Sequence, residues 1–556
     1  MSLGVDRIPR EPGKPRCGVF RLVSAAQMQA LDRRTIDEQG ISGEILMESA
    51  GRALVAPVLA LRAASARPEQ PIRAICGAGN NGGDGFVLVR HLQAEGIEAE
   101  AILIGDPARL PPDAAANWQR LAVVGAAHRV AAEGLGGSSL LEGTSVAVDA
   151  IFGTGLQRPV EGRLAETIEA LRHARGGGLR VLSVDVPSGI SADTGAVLGT
   201  AVEADVTITI SLPKIGLTLE PGRSHAGEVR VARIGIADPE PDEPARVESW
   251  TAKGALERMP ARPRAGHKGS FGHVLVVAGS AGKTGAAALC ARAASRAGAG
   301  LVTVAFPRGL EVELSGLCVE AMSASLATAS PSHFDPSAEK AIVELAAARD
   351  VMALGPGFGR EPETGELVQR LVTGVDRPLV IDADGLFALH GQLELVRERR
   401  APTVLTPHPG EAAHLLDSHA GKINADRLAA ARDLAARSGA AVVLKGAGTV
   451  VADPSGRALV VPTGGPALAS GGTGDVLTGI VAALLAAGLP ALEAGGLAAW
   501  WHGATADRLA AGRVDFGLLA SELADGLPDA AAALRERVSL LEAMDDEGLA
   551  LRYPGT

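Results

Sequence analysis

Ala469-Ser-Gly-Gly-Thr-Gly-Asp-Val-Leu-Thr-Gly479 decides how the second half of this chain is read. Gly471, Gly472 and Gly474 let the backbone turn its N–H groups inward, and the apolar run Val476 to Leu485 reads as the helix that follows. A helix opening on a glycine loop binds anions, because its unpaired N–H groups and the positive end of its dipole point the same way. Asp475 stands at the mouth of that loop. A carboxylate beside a phosphate repels it unless it serves the chemistry, and the service it can give is to take a proton from a hydroxyl that attacks phosphorus. The alternative is a glycine-rich cap with Asp475 in an ordinary first turn.

Working outward, the 556 residues exceed one core, since single cores stop growing near ~250–300 residues, and two large domains are expected. A hydrophobic content of 47%, with 70 Gly and a single Tyr (Tyr553), fits closely packed α/β layers. The formal charge of −11 argues against nucleic acid or an anionic membrane surface as a partner, so any phosphate must be held locally. Cys17, Cys76, Cys290 and Cys318 show no CxxC pair or metal-ligand spacing, which suits a reducing cytoplasm. Residues 1–20 carry charges without an apolar core and read as a flexible tail rather than a signal peptide. Ile480 to Trp501 reaches spanning length but contains Pro490, Glu493 and several Gly, so two buried helices around a turn are expected, not a membrane span.

Ala25 to Val55 has a helical period broken at Gly40-Ile-Ser-Gly43. The strand Ile72 to Cys76 then runs into Gly77-Ala-Gly-Asn-Asn-Gly-Gly-Asp-Gly85 and the helical Phe86 to Glu95. Gly77, Gly79 and Gly82 satisfy GxGxxG between a strand and a helix, so a plain dinucleotide site is one option. Asn80, Asn81 and Asp84 add side-chain polarity that such a loop does not ordinarily offer. Two more strands end in acids, Ser145-Val-Ala-Val-Asp149 and Val181-Leu-Ser-Val-Asp185, the second followed by Val-Pro-Ser-Gly-Ile190. In a parallel sheet ligands collect outside the carboxyl ends of strands, so Asn81, Asp149, Asp185 and Ser188 are expected in one crevice. Taken singly, each acid is an ordinary turn residue.

Asn80-Asn-Gly-Gly-Asp-Gly85, Asp149-Ala-Ile-Phe-Gly-Thr-Gly155 and Val184-Asp-Val-Pro-Ser-Gly189, preceded by Leu46-Met-Glu-Ser-Ala-Gly51, resemble the NAD(P)HX epimerase domain, also called the YjeF N-terminal domain, over residues 21–237. The resemblance implies a Rossmann-like three-layer α/β fold that interconverts the R and S epimers of NADH and NADPH hydrated at C6 of the nicotinamide ring. It further implies that Asn80, Asn81, Gly82, Gly83 and Asp84, with Gly153, Thr154, Gly155, Leu156, Gln157, Arg158 and Pro159, hold the substrate. Asp185 is then the candidate acid/base, and Asn81, Asp149 and Ser188 ligate a potassium ion.

Ala237-Asp-Pro-Glu-Pro-Asp-Glu-Pro-Ala245 has nothing to bury and marks a linker, placed at 238–249, where the halves are expected to be separable. Beyond it, His273 to Ala278 enters Gly279-Ser-Ala-Gly-Lys-Thr-Gly285, which fails as a Walker A loop because Val277 stands where its first glycine belongs. Later strands open into Gly355-Pro-Gly-Phe-Gly359, Asp382-Ala-Asp384, Thr406-Pro-His-Pro-Gly-Glu411 and Lys445-Gly-Ala-Gly-Thr449. With helical stretches between them, they predict a mostly parallel sheet covered on both faces. His408, fixed between two prolines, is either a substrate contact or a packed residue; Lys445 is either a phosphate partner or a snorkelling surface lysine.

His267-Lys-Gly-Ser-Phe-Gly-His273, the Gly355 loop, Thr406 to Glu411, Lys445 to Thr449 and Gly471 to Gly479, in this order, resemble the ADP-dependent NAD(P)HX dehydratase domain of ribokinase-like fold over residues 250–530, leaving 531–556 as a C-terminal extension. The resemblance implies that the C6 hydroxyl becomes a leaving group at the expense of ADP with Mg²⁺, yielding NAD(P)H, AMP and phosphate. Lys445, Gly446, Ala447, Gly448, Thr449 and Gly474 would hold the nucleotide; Asp475 would deprotonate the hydroxyl; Gly357, His408 and Ala286 would seat the nicotinamide part. Gly464-Gly-Pro466 departs from the pattern, which has Asn before the glycine and proline. The whole chain is thus expected to be a bifunctional, homo-oligomeric repair enzyme working on small molecules. The alternative is a ribokinase-type small-molecule kinase fused to a nucleotide sensor.

Overall fold

The computed structural model describes residues 18–551 apart from 133–136, 241, 242, 244, 513 and 544–549; residues 1–17 of the expected tail lie outside it. Two sheets organise the chain, one of eight strands and one of eleven. In the smaller, Ile72–Gly77 lies between Ala99–Ile104 and Val146–Ala150, followed on the latter side by Arg180–Val184, Val206–Ile210 and Glu228–Ala232, all parallel. The chain runs outward from Ile72–Gly77 in one direction before returning to its other side, so the strand order reverses there. A crevice opens at the carboxyl ends at such a reversal.

The helix after Ile72–Gly77 begins at Asn80, earlier than the sequence suggests, so Asn80 to Gly85 form its first turns instead of a loop. Packing explains the difference: a Cβ at Gly82 would stand 2.0 Å from Gly77 O, and at Gly85 2.7 Å from Cys76 Sγ. These glycines bring the helix onto the strand.

In the larger sheet, seven consecutive parallel strands run from Ala441–Leu444 through Thr403–Leu405, Leu379–Ile381, Val351–Leu354, His273–Val277 and Leu301–Pro307 to Met322–Leu326. The central residues of the first six are fully buried, as the apolar runs require when helices cover both faces, whereas Met322–Leu326 forms a partly exposed edge. Thr473–Ala486 and Ala491–Ala510 are the two helices expected around Pro490. The first packs so closely on Thr284–Arg296 that a Cβ at Gly479 would lie 2.2 Å from Cys290 O. No helix among the described residues is long and apolar enough to cross a membrane.

The boundaries differ from expectation. Val19–Leu22 is an edge strand of the larger sheet, antiparallel to Val247–Trp250, which occupies the end of the expected linker; Ala550–Leu551 pairs with Glu228–Ala232 of the smaller sheet. Glu243 in the linker ion-pairs with Arg21, and Ala237 N donates to Thr35 Oγ1 at 3.0 Å. Phe20, Leu22, Val186, Ile190, Ile215 and Leu217 share one apolar cluster with Leu275, Leu354, Ile381 and Leu444, so the two halves are built around common core. At the other end, Ala520–Ala543 runs through position 530, and Leu534 and Val538 are buried beside Val476 and Leu485.

Cutting the chain at a protease site inserted between Pro239 and Ala245 is therefore expected to leave two fragments that co-elute on gel filtration. Residues 246–556 expressed alone lack Val19–Leu22 and should be poorly soluble, because an open edge and apolar surface are exposed. Separation of the nicked fragments would show that the shared core contributes little.

Candidate active sites

The first site is a cavity of about 880 Å³ at the carboxyl ends of the smaller sheet, lined by Asn80, Asn81, Asp84, Gly153, Thr154, Gly155, Leu156, Arg158 and Asp185 among others. Gly82 and Gly83 are buried beneath the helix start, and Gln157 and Pro159 are exposed outside the lining. Asp185 directly follows Arg180–Val184 with φ of 68°, a left-handed conformation that costs a non-glycine residue on the order of 1–3 kcal/mol. Its Oδ1 accepts from Ile210 N at 3.1 Å and ion-pairs with Lys214. Its Oδ2 faces the cavity: a methyl group at Gly153 would lie 3.1 Å from both Asp185 Oδ2 and Asn81 Oδ1. One oxygen is anchored and the other presented.

Lys214 was not visible as a functional residue. Its side chain is 1% exposed, and Nζ also donates to Ile210 O at 2.8 Å and to Thr209 Oγ1 at 3.3 Å. A lone lysine in the apolar run Leu212-Pro-Lys-Ile215 just beyond a strand was the available signal, since a buried lysine requires a partner. Burial, and then the charges of Asp185 and Asp32, hold the Asp84 carboxyl well above the usual carboxylate range, with Lys214 opposing. The cavity thus pairs a carboxyl biased towards its neutral form with a lysine-bound carboxylate.

Asp149 is fully buried below this cavity. It accepts from Ser183 Oγ at 2.8 Å, Ser188 N at 2.9 Å, Ser188 Oγ at 2.5 Å and Ile151 N at 3.3 Å, all neutral donors, and burial raises its pKa. Ser188 Oγ in turn accepts from Phe152 N at 2.8 Å, next to the Gly153 that separates Asn81 from Asp185. Asp149 and Ser188 of the expected cation set are therefore in direct contact, while Asn81 meets the loop that carries Gly153.

The second site lies at the carboxyl ends of the larger sheet. Asp475 sits in the first turn of Thr473–Ala486, entered through Gly472 at φ 92°. Lys445 does not snorkel: Nζ lies 2.7 Å from Asp382 Oδ1 and 3.8 Å from Glu411 Oε2, and Thr478 Oγ1 donates to Asp382 Oδ2 at 2.7 Å. A Cβ at Gly474 would approach Lys445 Nζ to 3.3 Å, which joins the Lys445 loop to the Gly471 loop. The Asp475 carboxyl is pushed up to about 7 by burial and then by Asp382, with Lys445 opposing and Asp384 and Glu411 adding. A base poised near neutrality suits proton transfer.

Around these groups, Arg427 props the Lys445–Thr449 loop from below, donating to Leu444 O at 3.0 Å, Lys445 O at 2.9 Å and Gly448 O at 3.3 Å. Sequence reasoning missed it because nothing distinguishes it from the other arginines of its helix. Gly448 rests against the first half, its Cβ position 3.4 Å from Thr218 O. Ala286 and Gly357 meet, a Cβ at Gly357 falling 3.0 Å from Ala286 Cβ. His408 caps Pro409–Leu415, Nδ1 accepting from Gly410 N at 3.0 Å and Glu411 N at 3.2 Å, while its side chain stays 57% exposed. Gly464 has φ of 93°, a region open to both Gly and Asn, so the backbone accounts for either residue there.

Two crevices, each lined by glycine-rich loops and buried carboxyls at the carboxyl ends of its own sheet, define a two-site α/β enzyme. The profile of the NAD(P)H-hydrate dehydratase family matches residues 274–529, and that of the YjeF-related protein N-terminus matches 43–216. The bifunctional NAD(P)H-hydrate repair enzyme of Moorella thermoacetica is 40% identical, over 94% of this chain and 98% of its own length; that of Thermofilum pendens is 39% identical, over 93% and 97%. The chain belongs to this family of bifunctional NAD(P)H-hydrate repair enzymes. Among solved structures, the ADP/ATP-dependent NAD(P)H-hydrate dehydratase from Bacillus subtilis, co-crystallised with ATP/Mg²⁺, is 29% identical with a TM-score of 0.44, covering 51% of this chain and 98% of its own.

Asp475 carries a stability signature. Its folded pKa, about 7, lies above its ordinary 3.8, so ionisation in the fold is penalised: the penalty is absent below the ordinary pKa and complete above about pH 7. Asp475→Asn should therefore melt above wild type at pH 8, by up to about 4 kcal/mol of stability, with the gain vanishing towards pH 4. Melting curves across pH test this. A mere helix cap would instead lose roughly 0.5–2 kcal/mol on substitution.

Proposed function

We propose that the cavity of the smaller sheet interconverts the R and S epimers of NAD(P)HX and that the cleft of the larger sheet returns the S form to NAD(P)H, converting ADP to AMP and phosphate. The observation that carries this division of labour is the pair of aspartates, each presented at the carboxyl end of its own sheet among loop amides. C6 of the hydrate bears both a hydroxyl and the ring nitrogen, so inversion breaks and remakes one of those bonds while a proton moves to the departing atom and back. Asp185 accepts that proton and Asp84 donates one, a reading supported by the approach of Asp185 Oδ2 to Gly153 and by the raised Asp84 carboxyl.

In the second cleft, Asp475 takes the proton of the C6 hydroxyl as its oxygen attacks the β-phosphorus of ADP, and AMP leaves. The phosphorylated oxygen then departs from C6 as phosphate, pushed by the ring nitrogen, and loss of a C5 proton completes the dihydronicotinamide. Lys445 to Thr449 and Gly474 hold the nucleotide; Ala286, Gly357 and His408 seat the ring. Mg²⁺ would enter with the ADP phosphates, since among the described residues no group of three or more His, Cys, Asp or Glu could hold a metal by itself.

Asn81, Asp149 and Ser188 fit potassium: the set is all oxygen, and Asp149 is a buried carboxylate with only neutral partners. When bound, the cation would offset the charges of Asp149 and of an anionic substrate. A cytoplasmic homo-oligomer completes the proposal, supported by the buried free thiols of Cys76 and Cys290 and by the exposed Val312, Val319 and Met322 around the edge strand Met322–Leu326.

Given a mixed pool of both epimers with ADP, wild type should consume all of it. Asp185→Asn should stall once the S form is gone, and Asp475→Asn should interconvert epimers while dehydrating roughly 10²–10⁴-fold more slowly. Loss of the same activity in both variants would defeat the two-site assignment. Epimerisation should also run faster in potassium than in a bulky organic cation, and equal rates would remove the cation assignment.

A further inference from the structure

The loop Gly279–Gly285 fails as a Walker A element, yet the fold places it at the second site. It opens Thr284–Arg296, with Lys283 at the cap. Lys283 Nζ lies 2.9 Å from Asp384 Oδ2, and Arg360 Nε lies 2.8 Å from Asp384 Oδ1, with Gly359 N donating to the same carboxylate at 3.0 Å. The Asp384 side chain is 8% exposed, whereas those of Lys283 and Arg360 are 48% and 56% exposed. A buried carboxylate therefore holds two cations by one contact each, leaving most of the donors of an ammonium and a guanidinium facing outward.

Arg360 is also fixed in its plane. Its guanidinium lies 4.3 Å above the Phe387 ring, Phe387 stacks on His414 at 4.6 Å, and His414 stacks on His390 at 4.2 Å. The group adjoins the expected ring pocket, because a Cβ at Gly357 would touch Lys283 Cβ and Ala286 Cβ, each at 3.0 Å. It also lies beside the second site, since Asp384 follows by two residues the Asp382 that pairs with Lys445 at 2.7 Å. Dehydration brings two polyanions into one cleft, and Lys445 is already paired with Asp382 beside the nucleotide loops. A second anion needs a second cationic cradle.

We infer that Lys283 and Arg360, held by Asp384, grip a phosphate of the hydrated dinucleotide, separately from the loops that hold ADP; the inference rests on the dehydratase assignment above. The phosphate is either the pyrophosphate bridge common to both hydrates or the 2′-phosphate found only in NADPHX.

The test is steady-state kinetics of Lys283→Gln and Arg360→Gln with S-NADHX, S-NADPHX and ADP varied in turn. KM for hydrate should rise roughly 10–100-fold, with kcat and KM for ADP within about twofold of wild type. A rise for both hydrates identifies the pyrophosphate, and a rise for NADPHX alone the 2′-phosphate. Lys283→Arg and Arg360→Lys keep the charge beside Asp384 and should recover most of the affinity, which separates anion binding from a folding defect. Unchanged KM for both hydrates, or a rise confined to ADP, overturns the inference while the dehydratase assignment stands. A wild-type protein that does not dehydrate S hydrate with ADP sinks both.

Discussion

The buried ion pair between Lys445 and Asp382 sets the electrostatics of the second site. Asp382, Asp384, Glu411 and Asp475 crowd one cleft that must also admit nucleotide phosphates, and the Asp382 side chain is only 2% exposed. Removing one partner of such a pair costs on the order of 3–5 kcal/mol, because the remaining charge is left desolvated. Lys445 compensates Asp382, while Lys283 and Arg360 compensate Asp384. Asp475 is left with no cation bonded to it among the described residues, and its pKa near 7 follows first from burial and then from the charge of Asp382, with Lys445 opposing.

The first site reaches a related end by other means. Lys214 occupies one oxygen of Asp185, so that carboxylate is compensated and oriented, and the burden of burial falls on Asp84. The left-handed backbone at Asp185 turns the other oxygen into the cavity. Strain at a single residue is tolerable here because Asp185 N is held by Ile208 O at 2.8 Å and its side chain is tied to Lys214.

What the sequence disclosed were strand-to-loop junctions. Apolar runs ending in Asp149, Asp185, Asp382 and Lys445 are legible because a parallel sheet puts every such ending on one side. The carboxylates that tune the second site were not legible as a set, since Asp382, Asp384 and Glu411 follow different strands and only packing shows that they share a charge balance with Asp475. Val247–Trp250 escaped notice because Glu248 interrupts its apolar pattern. In the fold, that residue is buried between Arg246 at 2.9 Å and Arg457 at 2.8 Å. Val19 and Phe20 fall in the expected tail for a plainer reason: the pairing partner of Val19–Leu22 lies in the other half of the chain, beyond any local pattern.

That strand has a consequence for how the molecule is made. Val19–Leu22 is synthesised long before its partner Val247–Trp250, which pairs on its further side with Ala458–Val460, and the smaller sheet takes in Ala550–Leu551. During translation the strand waits unpaired, and the arginine at its centre, Arg21, disfavours chance pairing with another edge. The larger sheet is incomplete until Ala458–Val460 has been made, and the smaller until Ala550–Leu551 has. The two sites are therefore made together, in equal number, on one chain with a shared core.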